Sequence, residues 1–270
     1  MNQDQKPADS FIDPKYPEST RQLSTPPVSG VNEIAGMKKA PNAISLSAVM
    51  SVPRLGFMDN FFSVFQALIP LKIPIRKGTG AFWGQCLERV MVEAVATDKP
   101  GALLTLDYDT VFGIEDVGNL ARLLVDHPEA DAIAAVQSHR SENAPLMTIQ
   151  DKDMRAIKEV PLDYFQSDLS RVSTAHFGLT LIRTSSLAKL PHPWFKGVPA
   201  EDGTWGEGHI DDDIWFWKRW EEIGNTLYLA NRVVIGHGEW MIKWPGRQFK
   251  PVYQHPNDFF KQGAPVEAWQ

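Results

Sequence analysis

Apolar positions along this chain alternate between the two periods that mark strands and helices. Ile44-Ser45-Leu46-Ser47-Ala48-Val49-Met50 alternates as a first strand does and ends near Pro53. Residues 59–68 repeat at helical spacing, and 72–75 offer a second short strand. The Gly78-Thr79-Gly80 break then precedes an amphipathic helix over 81–96. Leu103-Leu104-Thr105-Leu106 is a continuous apolar run, as in strands covered on both faces. The pattern predicts a further helix over 116–127 and another buried strand over 132–136. Residues 138–173 are polar and irregular and predict no element. A strand over 178–183 and a short helix over 185–189 follow. A helix over 213–223 is closed by Gly224, and strands finish the pattern over 226–235. Strands alternating with helices in the first half predict an α/β fold with a mainly parallel sheet and right-handed crossovers. There is no internal repeat.

Composition narrows this to one large domain or a domain with extensions, since 270 residues at 43% hydrophobic can bury a substantial core. Residues 1–40 carry five prolines, five acids and five bases with little periodicity, and read as a flexible or loosely docked arm. Residues 241–270 read as a C-terminal extension. With 27 Lys+Arg against 33 Asp+Glu, the overall charge gives no reason to expect nucleic acid. The stretch 243–261 nonetheless holds four Lys/Arg, one Asp, His255 and several aromatics. It reads either as a solvated extension wrapping the domain or as a contact for a phosphate backbone. The single cysteine, Cys86, excludes an internal disulfide and fits a reducing compartment. On an amphipathic helix it reads as a small buried residue. The chain start lacks the apolar core of a signal peptide, and no apolar run spans a bilayer, so the expected location is cytoplasmic.

Chemistry concentrates at a few places. The run 103–106 leads straight into Asp107-Tyr108-Asp109. In extended backbone, side chains two apart project together, which places both carboxylates at the strand's carboxyl end. Such a pair suits a hard divalent cation bound to phosphates, and equally suits an acidic strand-to-loop turn. Asp211-Asp212-Asp213 precedes the helix carrying Trp215, Trp217 and Trp220, with no Lys or Arg from Gly197 to Trp217. One acid there would be a helix cap; three in succession repel one another and call for a further role. Trp217 and Trp220, at helical spacing, read as core; with Trp194, Trp205 and Trp215 they form an aromatic cluster beside acids and glycines, of a kind common in carbohydrate sites and in ordinary cores alike. Gly236-His237-Gly238 leaves an imidazole accessible between glycines. Gly178, after His176-Phe177, is either a bulge or a space left for a ligand.

Together these pieces resemble the nucleotide-sugar-dependent glycosyltransferases of the GT-A fold, the family 2-like group, over residues 43–237. The resemblance rests on Asp107-Tyr108-Asp109 and on His176-Phe177-Gly178. It rests also on Asp212-Asp213, twelve residues before Gly224, and on Gly236-His237 after the last strands. It implies a GT-A (Rossmann-like) domain over 41–240, with a nucleotide-binding half over 41–137 and an acceptor-side half over 174–240.

By that resemblance, Asp109 and His237 would hold Mn²⁺ or Mg²⁺, with Asp107 supporting the metal or the ribose. Asp107, Tyr108, Pro53, Arg54 and Arg89 would contact the nucleotide sugar. Arg89 falls where many relatives carry an Arg-Asn pair, but Val90 replaces the asparagine. Asp213 would be the general base and Asp212 would bind hydroxyls, giving inversion. His176, Gly178, Trp205, Trp215 and Asp211 would face the acceptor or sugar. The implied donor is a nucleoside diphosphate sugar, UDP-sugars being favoured by family habit. Among acceptors, protein, polysaccharide, small metabolites and a hydroxymethylated DNA base are all admissible. Two other readings are a sugar nucleotidyltransferase, whose Gly-rich basic signature Val52-Pro53-Arg54-Leu55 lacks, and a non-catalytic sugar- or partner-binding relative.

Overall fold

The computed structural model describes residues 44–53, 55–140, 145–149 and 162–268. The expected arm, residues 1–40, lies outside the described residues, as does Arg54. In chain order the elements are β1 (Leu46–Val52), α1 (Met58–Leu71), β2 (Ile75–Thr79), α2 (Trp83–Asp98), β3 (Ala102–Asp107), β4 (Thr110–Val111), α3 (Ile114–Asp126) and β5 (Ala132–Val136). There follow β6 (Met147–Thr148), β7 (Leu169–Arg171), β8 (Thr174–Ala175), β9 (Leu179–Arg183), α4 (Thr184–Leu187) and α5 (Asp212–Glu222). The chain closes with β10 (Leu227–Val234), β11 (Gly236–His237), β12 (Ile242–Pro245), β13 (Pro251–Gln254) and α6 (Pro256–Gln262).

The central sheet has the order β2-β1-β3-β9-β5-β10-β7. Strands β2, β1, β3, β5 and β10 run one way, whereas β9 and β7 run against them. This is the mainly parallel α/β sheet flanked by helices that the periodicity predicts. One face carries a core of Leu87, Met91, Phe177, Phe216, Trp217 and Trp220 beneath α2 and α5. The other carries Leu68, Leu106, Leu120 and Leu124 beneath α1 and α3. Each such side chain contributes roughly 1.5–3 kcal/mol by leaving water. Cys86, Trp217 and Trp220 are buried, as their helical positions predict.

Two boundaries move. The second strand starts at Ile75 rather than 72, because Lys72 adopts the left-handed conformation (φ 55°) and closes α1. Gly78 and Thr79, expected to break the chain, end β2 instead. A Cβ on Gly78 would lie 2.5 Å from the Cys86 carbonyl oxygen, so glycine lets α2 pack directly on the strand. The region that predicted no element supplies the short edge strand β7, which pairs antiparallel with β10.

The strand directions gather one set of positions at one edge. The carboxyl ends of β1, β3, β5 and β10 share it, and antiparallel β9 begins there, with Leu179 opposite Leu106. In open α/β sheets ligands bind outside this edge.

Candidate active site

Asp107 ends β3, and its Oδ1 accepts a hydrogen bond from the Trp83 indole at 3.1 Å. Asn60 on α1 pins the turn that follows, its side-chain amide donating to the carbonyls of Asp107 (2.8 Å) and Thr110 (2.7 Å). Burial, and then the neighbouring charge of Asp109, push the Asp107 carboxyl up to about 6.

Asp109 is buried to 1% exposure. Two chain-distant contacts bring it to His237. Strand β4 pairs antiparallel with β11, setting Thr110 opposite His237. The Gly238 amide also donates to the Asp109 carbonyl at 2.6 Å, an approach a side chain would obstruct, since a Cβ there would meet that oxygen at 2.9 Å. As a result, the Asp109 Oδ2 lies 3.5 Å from His237 Nε2. Nδ1 of His237 sits 2.9 Å from the Ser138 carbonyl, which can only accept, so Nδ1 carries the hydrogen and Nε2 presents its lone pair to the site.

Between them lies a residue the sequence reading did not single out. The Arg140 Nε donates to His237 Nε2 at 2.9 Å, and one Nη donates to Asp109 Oδ2 in a short contact. Its signal was its place four residues beyond the buried strand β5, at the same sheet edge as Asp107. Asp109 Oδ1, by contrast, has no hydrogen-bond partner among the described residues.

The aspartates at the start of α5 separate in role. Asp212 Oδ2 accepts from the Gly84 amide at 3.1 Å and so caps α2 from another element. A Cβ on Gly84 would come within 2.2 Å of that oxygen. Asp213 Oδ1 accepts from the Ile214 amide at 2.7 Å. Burial, opposed by that hydrogen bond and reinforced by the charges of Asp212 and Asp211, pushes the Asp213 carboxyl up to about 6. Asp211 is exposed and turns to His209 Nε2 at 3.1 Å.

Two clefts meet at Arg140, which borders both. One, of about 320 Å³, is lined by Asp107, Asp213, His237, Gln137 and His176. The other, of about 790 Å³, is lined by Pro53, Phe57, Tyr108, Asp109, Glu239 and Trp240. His255 and, from α6, Asp258 and Lys261 supply a wall of this second cleft. Phe57 packs against both Tyr108 and Trp240, with ring centroids 6.2 and 5.5 Å away.

The remaining expected positions are engaged elsewhere or, like His176 at the wall of the smaller cleft, are already hydrogen-bonded. His176 is buried, with Nε2 donating to the Ala135 carbonyl (2.8 Å) and Nδ1 accepting from the Gly178 amide (2.9 Å). Burial lowers its pKa to about 4, so it is a neutral bracket between β5 and β9. Arg89 is exposed, donates to the Thr79 carbonyl and borders neither cleft. Trp205 is 65% exposed against His209, and Trp215 lies beneath Lys196 and Arg219; neither lines these clefts. Trp194 is buried, its indole donating to the Leu190 carbonyl.

Gly178 holds the floor. Its carbonyl accepts from the Asp107 amide at 3.4 Å, and a Cβ would lie 2.8 Å from Gln137 Oε1 and Thr110 Oγ1 and 2.9 Å from His176 Nδ1. Gly178→Ala is therefore expected to destabilise the protein by about 1–3 kcal/mol. It should also disturb the Asp107–Asp109 turn. Thermal unfolding measures the first effect, and an unchanged midpoint would contradict the close packing.

No protein-family model matches the chain, and no curated protein matches it. Solved structures that show some likeness include the following three. The A197 protein from STIV aligns with a TM-score of 0.49 at 14% identity, over 77% of this chain and 94% of that one. GalNAc-T7, solved with UDP, GalNAc and Mn²⁺, aligns at 0.47 and 11%, over 73% of this chain and 44% of that one. The mannosyltransferase PcManGT from Pyrobaculum calidifontis, in complex with GDP-Man and Mn²⁺, aligns at 0.45 and 10%, over 76% and 59%. The chain thus spans about half the length of the last two.

Proposed function

We propose that this protein is a metal-dependent glycosyltransferase that moves a sugar from a nucleoside diphosphate sugar to an acceptor hydroxyl, with inversion. One observation carries the reading. Four side chains from distant segments, Asp107, Asp109, Asp213 and His237, converge at the carboxyl edge of the sheet beside two adjoining clefts.

The donor set suits a divalent cation. Asp109 offers a buried oxygen lacking any hydrogen-bond partner among the described residues, and His237 offers an Nε2 lone pair fixed by the Ser138 carbonyl. Among the described residues no group of three or more such ligands surrounds one point. Two protein ligands leave positions for a diphosphate and water, as in sites where cation and substrate bind together. A bound Mn²⁺ or Mg²⁺ would supply Lewis-acid stabilisation of the leaving diphosphate, and an imidazole ligand favours Mn²⁺.

The chain's own residues do the rest. Phe57, Tyr108 and Trp240 give the larger cleft a ring-lined wall suited to a nucleoside. Asp107, held by the Trp83 indole, supports the ribose or the cation. Asp213, in the smaller cleft, takes the acceptor hydroxyl's proton as that oxygen attacks the anomeric carbon. Asp212 is committed to the Gly84 amide, which favours Asp213 as the base.

Screening nucleoside diphosphate sugars with Mn²⁺ for hydrolysis, then offering acceptor pools to the best donor, tests the reading. Absence of hydrolysis and of nucleoside diphosphate binding across the panel would overturn it. The raised Asp213 pKa also sets a pH profile. The base works only ionised, so kcat/KM should be low below about 6 and rise to a plateau above it. A rate that falls as pH rises through that range would remove Asp213 from the role.

A further inference from the structure

We propose that Arg140 is a resident cation that competes with the divalent ion for Asp109 and His237 and must be displaced before that ion can bind. The inference rests on the reading of those two residues as cation ligands, and goes beyond it by making a third residue govern access to them.

The geometry is specific. A guanidinium is a planar fork of donors, and Arg140 uses two of them at once. Its Nε points at the His237 Nε2 lone pair at 2.9 Å, and an Nη points at Asp109 Oδ2. The imidazole has a single lone pair at Nε2, so Arg140 and a metal ion cannot both hold it, and the ion would meet Asp109 with a guanidinium already on Oδ2. Proton loss does not free the site, because a guanidinium stays charged at all working pH values. Release must therefore be a swing of the side chain. Room exists for it, since the Arg140 side chain is 46% exposed and borders both clefts.

Electrostatics explain why a chain would keep such a residue. Asp109 is almost completely buried, and a buried carboxylate without a counter-charge is strongly disfavoured. Arg140 supplies that charge when no metal ion is present. An entering divalent ion repels the guanidinium, and a diphosphate in the adjoining cleft would give it a new, doubly hydrogen-bonding anionic partner. Free metal alone must displace Arg140 without that compensation. The resident arginine thus disfavours the bare ion and favours its entry together with the diphosphate.

The test is a titration of the full chain with Mn²⁺ alone, following the free-ion electron paramagnetic resonance signal, together with thermal unfolding in chelator and in Mn²⁺. Arg140→Ala should bind Mn²⁺ about tenfold or more tighter than the parent. It should unfold at a lower temperature in chelator and show a larger Mn²⁺-induced rise. Asp109→Asn added to that variant should erase the gain. If Arg140→Ala yields no folded protein, Arg140→Lys, which keeps the charge but loses the fork, should bind Mn²⁺ more tightly than the parent. Affinity in the folded variant equal to or weaker than the parent's overturns the proposal. Sugar transfer is judged separately by the donor screen, whatever this titration gives.

Discussion

Asp213→Asn is expected to lower sugar transfer by about 10²–10⁴-fold, the usual contribution of a positioned general base. Donor binding should change little. Asparagine keeps the shape of the side chain, and its carbonyl oxygen can still accept from the Ile214 amide that Oδ1 now holds at 2.7 Å. The start of α5 should therefore stay intact, and the loss will report proton transfer rather than folding. Glutamine or glutamate would move the group along the cleft, so asparagine is the cleaner probe. The measurement is kcat/KM with a saturating acceptor, beside a calorimetric dissociation constant for the nucleoside diphosphate with Mn²⁺. A variant that transfers at the parent rate would exclude Asp213 as the base. One that loses donor binding in proportion would make it a ligand of the donor instead.

Much of the sheet was legible because its strands announce themselves locally. Leu103-Leu104-Thr105-Leu106 is buried along its whole length, and it ends at Asp107 where the polar pair begins. The α5 helix, the burial of Trp217 and Trp220, and the closing role of Gly224 (φ 83°) follow from helical spacing and from glycine's tolerance of positive φ. What stayed hidden depends on partners far along the chain. Arg140 meets Asp109 and His237, which lie 31 and 97 residues away, and its place just beyond β5 does not by itself distinguish it from a solvated arginine. Asp212 looks like an ordinary helix-start acid, yet it caps a different helix through Gly84, 128 residues distant. The direction of β9 was equally unreadable, because an apolar strand buried between two others carries the same pattern whichever way it runs. The tryptophans show the converse. Trp205 and Trp215 sit close to the acids in sequence, but the loop bridged between Val198 and Ile210 and the turn of α5 carry them away from both clefts.

Asp109→Ala is expected to reduce Mn²⁺-dependent transfer by at least about 10²–10³-fold, the scale on which a single preorganised electrostatic element acts. It should also remove Mn²⁺ binding in the absence of nucleotide. The fold has reason to tolerate the change. The links that tie this turn to β11 are backbone ones, the Thr110–His237 pairing and the Gly238 amide bonded to the Asp109 carbonyl, and alanine retains both. Truncation also removes an oxygen that is buried with no hydrogen-bond partner among the described residues, which offsets the loss of the Arg140 contact. The expected signature is therefore lost turnover with a modest shift in unfolding temperature, the opposite of what a purely structural carboxylate would give. A structural Asp109 would show the reverse, with a large fall in unfolding temperature and surviving Mn²⁺-stimulated turnover in whatever protein remained folded. Measuring the two quantities on one preparation separates these cases, and retained metal-stimulated transfer would move the cation away from the 107–109 turn altogether.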